Sequence, residues 1–429
     1  MDTIAFHTFG CKLNFSETST LSRMFQEKGF KKTSISQKPK KIIINTCSVT
    51  ENADKKCEEL IKKIKKKSPK SNITVIGCFA QLNPKKILKI NGVDKVLGNK
   101  EKFDIDNYIN KSNNKLHSNI KESIHFKSSF SINDRTRSFL KIQDGCNYGC
   151  SFCTIPLARG KSRSNNIKSI IKNILEISKN NVQEIVLTGI NIGDFGIQNG
   201  RRKERLIDLL REIEKLNKIN RYRISSIEPN LLSDEIIEFI LNSNKFLPHF
   251  HIPLQSGNNK ILKSMGRRYK KELYKNKVNK IKKMMPDACI GADFIVGYPE
   301  ESKSDFNKTY KFINDLNIDY MHVFPYSERK NTRSSTLKKT ILTTEKNTRS
   351  KMLRILSEKK KRFFYNKNLN SIKNVLFEKD VKNNFIYGFT ENYIRVKTKF
   401  EEKIINKIIP CNLNFIDSDG IVEVNKLVY

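Results

Sequence analysis

The sequence predicts an α/β protein in three parts. These are an N-terminal α/β domain on a parallel sheet, a central (β/α) barrel of six strands, full or partial, and a small C-terminal all-β barrel of OB-like kind. Three observations predict it. Within 1–120, an apolar strand runs into a cysteine three times, with helical stretches between. Over 132–365, six further apolar strands alternate with helices. Over 366–429, the pattern changes to short alternating strands divided by turn residues.

In the first part the strands are TIAFHTFGC (3–11), KIIINTC (41–47) and NITVIGC (72–78), with a short fourth, VDKVLG (93–98). The pattern predicts a helix that starts on a capping Ser16, carries Leu21, Met24 and Phe25 on one face and stops near Gly29. A second helix is expected over 52–67. Strand–helix–strand at this period calls for parallel pairing with right-handed crossovers. A Lys-, Asn- and Ser-rich stretch at 107–131 has little apolar content and reads as a linker. The barrel strands are FLKIQ (139–143), EIVLTG (184–189), YRISSIE (222–228), FLPHFHIPL (246–254), CIGADFIVG (289–297) and YMHVFPY (320–326). Chemistry in such a barrel belongs at the C-terminal strand ends. The last part contains NVLFEKD, FIYGFTENYIRVKT, KIIPCNLNFIDS and GIVEVNKLVY, an architecture often used on RNA.

Composition bounds the function. With 37% hydrophobic and 29% charged residues, the 429-residue chain fits a soluble folded protein. No apolar run approaches the roughly 18 residues of a membrane helix. The start, MDTIAFHTFGCKLN, lacks a basic segment followed by an apolar one, so a cytoplasmic location is expected. The net charge of +38 invites a polyanionic partner, most simply nucleic acid. Part of it is the Lys/Asn/Ile bias of an AT-rich genome, laid on solvated helix faces such as LIKKIKKKSPK (60–70). Nine cysteines in a reducing compartment are candidates for metal binding or catalysis rather than disulfides.

The stretch CNYGCSFC (146–153) places Cys146, Cys150 and Cys153 directly after a barrel strand. Three thiolates so close can hold one face of an iron–sulfur cube and leave one iron open. A structural zinc would want a fourth ligand nearby, and the next cysteine is Cys289. Cys11, Cys47 and Cys78 each end a strand of one parallel sheet, at the edge where ligands collect. Singly, each could be a small apolar strand-end residue; the threefold repeat points to a second, auxiliary 4Fe–4S cluster with an open iron. Cys57 lies at helical spacing with Leu60, Ile61 and Ile64 and belongs to a core, and Cys289 and Cys411 read as structural.

CxxxCxxC after the first strand of a (β/α) barrel, with Phe152 before the last cysteine, resembles the radical S-adenosylmethionine (SAM) superfamily, in which SAM chelates the open iron. Both trios and the C-terminal barrel together resemble the methylthiotransferase family. So do FHTFGCKLN (6–14), INTCSVT (44–50), GCFAQ (77–81), DRTRSFLKIQDGCNYGCSFCTIPLARG (134–160), LTGIN (187–191), HIPLQSGN (251–258), FIVGYPEE (294–301) and HVFPYSER (322–329). FHTFGCKLN, DRTRSFLKIQDGC, RISSIE (223–228) and FTENYIRV (389–396) are similar to the MtaB-type branch. That branch acts on N6-threonylcarbamoyladenosine at position 37 of tRNA, beside the anticodon. Sister branches act on isopentenyladenosine and on a ribosomal-protein aspartate.

The resemblance implies a methylthiotransferase N-terminal domain at 1–120 holding the auxiliary cluster, a radical SAM core at 132–365 and a TRAM RNA-binding domain at 366–429. It implies two 4Fe–4S clusters, SAM as both radical and methyl source, and methylthiolation at carbon 2 of the adenine. It also implies the anticodon loop of tRNA as partner, an external one-electron reductant of flavodoxin or ferredoxin kind, and no membrane. The six cysteines Cys11, Cys47, Cys78, Cys146, Cys150 and Cys153 are the metal-binding and catalytic set. SAM contacts are expected from Phe152, Thr188, Gly189, Asn191, Ser226, Glu228, Gln255, Gly297 and Pro299. Arg159 and Arg163 are candidates to pair with a carboxylate or phosphate; otherwise they are loop charges. His7, His249, His251 and His322 read as packed residues rather than ligands. Tyr387, Tyr393 and Arg395 are the expected RNA contacts, although tyrosines in a small barrel are also ordinary core residues. The rival readings are action on isopentenyladenosine-37 and a non-catalytic iron–sulfur RNA-binding protein. One departure is Asn331, where the family has glycine.

Overall fold

The computed structural model describes residues 1–48, 50–105, 108, 115–116, 118–120, 123–338 and 340–427. The N-terminal sheet holds six strands in the order Lys31–Lys32, Thr3–Thr8, Lys41–Thr46, Asn72–Gly77, Lys95–Leu97 and Lys115–Leu116. Every pairing is parallel. The two central strands, Lys41–Thr46 and Asn72–Gly77, are largely apolar because both faces are covered: Ile42 and Ile44 feed one core, Ile43 the other. The order reverses between Thr3–Thr8 and Lys41–Thr46. That makes a switch point, whose carboxyl-end crevice is the usual ligand site of such sheets.

The first helix runs Lys12–Glu27, with Cys11 extended at its N-cap. It therefore starts four residues before the expected Ser16. Ser16 lies inside it, donating to the Leu13 carbonyl at 2.8 Å and sharing a 3.0 Å bond with Ser129 Oγ. A polar residue buried against a neighbouring unit imitated a cap. The helix buries Leu21 and Phe25 against the sheet, and Asn14, Ser16 and Glu17 against the barrel. The second helix, Glu51–Lys67, is capped by Thr50 and buries Cys57 with Ile61 and Ile64.

The expected linker at 107–131 needs correction. Part of it lies outside the described residues: 107, 109–114, 117 and 121–122. Lys115–Leu116 extends the N-terminal sheet, and Ser129–Phe130 pairs antiparallel with the first barrel strand. Two-residue strands are too short to show an alternation.

The barrel is partial. Ser138–Lys141, Glu184–Thr188 and Arg221–Ile224 form one parallel sheet; His249–His251, Cys289–Val296 and Tyr320–Pro325 form another. Parallel bridges Tyr222–Phe246 and Ser226–His251 join them, so six strands curve in chain order around one core. The long helix Thr343–Asn368 gives Leu353 and Leu356 to that core and Phe364 and Tyr365 to the next. The C-terminal strands Ile372–Lys382, Phe385–Thr390, Arg395–Lys399, Ile408–Ile416 and Val422–Lys426 close a barrel in the order first, second, third, fifth, fourth. Its third and fifth strands are parallel, the OB-like arrangement.

This small barrel packs against the N-terminal ends of the large barrel's strands. Arg221 and Arg223 donate to the carbonyls of Asn374 and Glu391 at 3.3 and 3.1 Å, and His249 stacks on Tyr393 at 4.1 Å. The carboxyl ends are left for the cysteines. Among the described residues no helix is long and apolar enough to cross a membrane.

Candidate active site

After the first barrel strand the chain forms a narrow hairpin in which Asp144 pairs with Arg163 and Gln143 with Ser164. The loop between holds Cys146, Cys150 and Cys153. Gly145 allows it: at φ +73 a Cβ would stand 2.1 Å from the Lys161 carbonyl. The amides of Tyr148 and Ile155 point at the sulfurs of Cys146 and Cys153, at 3.3 and 3.4 Å. Arg267 Nη1 lies 3.1 Å from Cys150 Sγ. Burial pushes Cys146 and Cys153 up to about 12. It raises Cys150 too, against the pull of Arg267. Three free thiols crowded together and met by N–H donors suit a cationic iron–sulfur group, whose binding would remove their protons.

The second trio is assembled from three strand ends. Cys11 caps the first helix, Cys47 follows Lys41–Thr46, and Cys78 opens the short helix Cys78–Leu82. Gly10, at φ +95, backs so closely onto Cys47 that a Cβ would lie 2.6 Å from the Cys47 Cβ. Although Cys11 keeps exposed surface, the protein packed around its sulfur pushes the thiol up, Arg159 opposes, and Cys78 adds to the rise. Asn99 Nδ2 is 3.8 Å from Cys78 Sγ and donates to the Ala158 carbonyl at 2.7 Å.

Behind both trios runs a buried ionic network. Arg159, 1% exposed, donates to Glu17 at 3.1 Å, to Asp144 at 2.9 Å and to Asn14 at 2.5 Å. Lys102 and Lys141 also bind Glu17, at 2.5 and 3.2 Å, and Arg163 binds Asp144 at 3.1 Å. Burial would raise Glu17, but Arg159, Lys102 and Lys141 hold it well below the carboxylate range. Four cations face two carboxylates, and among the described residues Arg159 Nε is buried without a partner. A surplus of positive charge beside Cys11 and Cys78 fits an anionic thiolate-bound cluster there.

One cavity of about 400 Å³ takes a wall residue from each trio, Cys11 and Cys153, together with Phe152, Gln255, Asp293 and Phe324. Asp293 belongs to a hydrogen-bonded chain. Tyr320 Oη meets His249 Nε2 at 2.9 Å and His251 Nδ1 at 3.1 Å; Asp293 Oδ1 meets His251 Nε2 at 2.9 Å and His322 Nδ1 at 3.1 Å. Burial favours the protonated acid, but His251 and His322 hold Asp293 well below the usual carboxylate range. Lys12 lies within electrostatic reach of Arg137, Arg223 and Glu184, and burial with the two arginines pushes it down to about 8.

The other expected SAM contacts divide. Glu228 is ion-paired to Arg267, the residue that reaches Cys150. Ser226 bridges to His251. Thr188 and Asn191 are buried where the second strand ends. Gln143 Oε1 accepts the amides of Ile190 and Asn191, at 2.9 and 2.8 Å, and a Cβ on Gly189 would stand 2.9 Å from it. Gly297 turns at φ +68 against Lys346, and Pro299 is buried; neither lines the cavity. Tyr298 between them bonds Ser151 at 2.8 Å, bracing the cysteine loop. Asn331 adopts φ +65, a left-handed turn that asparagine accepts.

Arg159 and Arg163 pair with carboxylates and are no loop charges. Two of the expected RNA contacts are otherwise engaged: Tyr393 is stacked between His249 and Phe389, and Arg395 binds Glu378 at 2.7 Å and Asp380 at 2.9 Å. Lys12, Glu17, Arg267 and Asp293 were not singled out from sequence. Asp293 left a signal, the one charge in an otherwise apolar barrel strand.

Residues 3–98 match the family described as "Uncharacterized protein family UPF0004", and residues 140–313 match the "Radical SAM superfamily". The chain is 36% identical to the Bacillus subtilis (strain 168) protein named "Threonylcarbamoyladenosine tRNA methylthiotransferase MtaB", covering 96% of this chain and 94% of that one. It is 37% identical to the Buchnera aphidicola subsp. Cinara cedri "tRNA-2-methylthio-N(6)-dimethylallyladenosine synthase", covering 87% and 89%. Among solved structures, the radical SAM methyltransferase TsrM of Kitasatospora setae superposes with a TM-score of 0.56 at 11% identity, covering 75% of this chain and 73% of that one, a likeness of fold. With one cysteine of each trio on a shared cavity and near full-length relatives of this identity, the chain belongs to the radical SAM tRNA methylthiotransferase family of transferases, with its MtaB-type members.

Proposed function

We propose that this enzyme methylthiolates carbon 2 of N6-threonylcarbamoyladenosine at position 37 of tRNA, with two 4Fe–4S clusters and SAM. The observation that carries the reading is the single cavity walled by Cys11 of one trio and Cys153 of the other. When bound, the clusters and SAM supply the one-electron chemistry and the methylated sulfur that no side chain can. Each trio would hold its cluster by three irons and leave the fourth for a non-protein ligand. Phe152, Ile295 and Phe324 would keep water from the space between, where the target carbon must sit. Phe152, Thr188, Asn191, Ser226, Glu228 and Gln255 are our SAM contacts; Gly189, Gly297 and Pro299 shape the backbone around them.

A base in an anticodon loop must be splayed out to enter such a cavity. Lys351, Arg354, Lys359 and Arg362 line a groove between the long helix and the small barrel, and would take phosphates. The reaction needs an external one-electron reductant of flavodoxin or ferredoxin kind and is set in the cytoplasm, where tRNA is.

Identity does not separate the substrates, since relatives named for either adenosine lie at 36 and 37%. The polar barrel interior favours the threonylcarbamoyl group. An isopentenyl tail would lie against His251, Asp293 and His322 and add no hydrogen bond to those they already make with one another. Nucleoside mass spectrometry of tRNA from cells with and without the gene tests the proposal. Loss of the methylthio-threonylcarbamoyl nucleoside is expected; loss of the isopentenyl-derived one instead would overturn the substrate.

A further inference from the structure

The last two barrel strands, Cys289–Val296 and Tyr320–Pro325, run side by side in a register that sets Asp293 opposite His322 and Ile295 opposite Phe324. Side chains two residues apart on a strand share a face. Ile295 and Phe324 line the cysteine cavity, and Asp293 lines it with them. His322 therefore stands on the same wall, one pleat from Phe324 toward the amino end of its strand. Its side chain is 56% exposed, and its ring meets that of Phe324 edge to face at 6.5 Å. It also lines a second cavity of about 270 Å³, with Tyr320 and Tyr393.

The hydrogen bonds fix what this wall offers. An ionised carboxylate only accepts, so both imidazoles that meet Asp293 Oδ1 donate to it. His251 does so through Nε2–H at 2.9 Å and His322 through Nδ1–H at 3.1 Å. In each neutral ring the other nitrogen is then an acceptor. That of His251, Nδ1, is met by Tyr320 Oη at 3.1 Å. That of His322, Nε2, takes part in no hydrogen bond among the described residues, and neither does Asp293 Oδ2. A ring nitrogen and a carboxylate oxygen are thus left open side by side, and both accept.

We propose, resting on the threonylcarbamoyladenosine reading above, that Asp293 and His322 are an acceptor pair for the arm on N6 of the target adenine. Asp293, on the cavity that takes the base, accepts an N–H of the urea linkage. His322 Nε2, which opens onto the second cavity, accepts the threonyl hydroxyl. Like charge turns the carboxylate of the arm away from Asp293. An isopentenyl tail carries neither urea nor hydroxyl. A site built to hydrogen-bond a substrate group rejects an analogue lacking it, because its own polar atoms are left unpaired.

The test compares two anticodon stem-loop RNAs on the reconstituted enzyme. One carries N6-threonylcarbamoyladenosine; the other carries the valine analogue, in which a methyl group replaces the hydroxyl. Fluorescence anisotropy at one fixed salt concentration gives Kd for each. Wild type is expected to prefer the threonyl RNA by about tenfold. His322→Phe should lose that preference by weakening the threonyl RNA alone. His322→Gln, whose amide oxygen can replace Nε2 as acceptor, should keep it. Asp293→Asn disturbs the urea contact and the His322 ring together, so it should weaken the threonyl RNA more than His322→Phe does. The wild-type comparison needs no variant, so misfolding cannot hide the answer. A wild type that binds both RNAs equally overturns the proposal. So does a His322→Phe that keeps the preference, or an Asp293→Asn that binds the threonyl RNA like wild type. Turnover of the threonylcarbamoyl RNA without a hydroxyl preference sinks the acceptor pair alone; turnover of isopentenyladenosine RNA in its place sinks the substrate reading and this proposal together.

Discussion

The two cysteine trios each give one residue, Cys11 and Cys153, to a shared cavity and are built in opposite ways. Cys146, Cys150 and Cys153 come from one loop, shaped by local bonds such as Cys153 N to the Cys150 carbonyl at 3.2 Å. Cys11, Cys47 and Cys78 meet only because the parallel register sets their strand ends level, Thr8 beside Asn45 and Thr46 beside Gly77. A local trio survives damage elsewhere in the sheet; an assembled one reports on the whole fold. The two are nevertheless joined, because Arg159, on the helix Ile155–Arg159 that follows the loop, binds Glu17 on the helix that follows Cys11.

The strongest way to break the contrast is to cut that joint. Arg159→Met would leave Glu17 and Asp144 each short of a partner at full burial. Removing one member of a buried charge network costs about 3–5 kcal/mol. The urea midpoint should fall well below wild type, and iron incorporation should drop at both trios. Two trios loading normally in this variant would mean that the ionic network is incidental to them.

Glycine substitutions should separate the trios. Gly10→Ala forces a Cβ to 2.6 Å from the Cys47 Cβ at φ +95, and so damages the assembled trio. Reconstituted iron should fall from about eight to about four per chain, with SAM cleavage retained. Gly145→Ala, whose Cβ would meet the Lys161 carbonyl at 2.1 Å, should lose the other four and SAM cleavage with them. If either change empties both sites, the distinction between local and assembled is wrong.

This difference also governs what the sequence revealed. The loop trio is a spacing, so it was readable directly. The assembled trio was readable because each cysteine ended an apolar strand, and a parallel sheet aligns such ends. The supporting charges were not readable. Glu17 and Lys141 lie 124 residues apart and become partners only when the first helix packs on the first barrel strand. Ser16 looked like a cap because sequence cannot say that a second unit covers that helix face. Ser129–Phe130 looked like linker because two residues carry no period, yet Phe130 is buried in the barrel core.

The smallest expected effect probes the loop trio from outside the loop. Arg267, 117 residues beyond Cys150, donates to its sulfur at 3.1 Å and is paired with Glu228. In Arg267→Leu, Glu228 loses the cation that opposes its burial, which already raises it, and would take up a proton. Net charge beside the sulfurs then changes little, and what remains is one lost N–H···S bond. Such bonds favour the reduced cluster, so an EPR-monitored redox titration should show one midpoint moving negative by roughly 60 mV at most, a factor of ten for one electron. The other midpoint should hold, and so should the iron content. A shift at the Cys11, Cys47 and Cys78 site would show that Arg267 acts through the fold. A shift confined to the loop site would show that even a local trio takes its tuning from a distant residue, as the assembled trio does from Arg159.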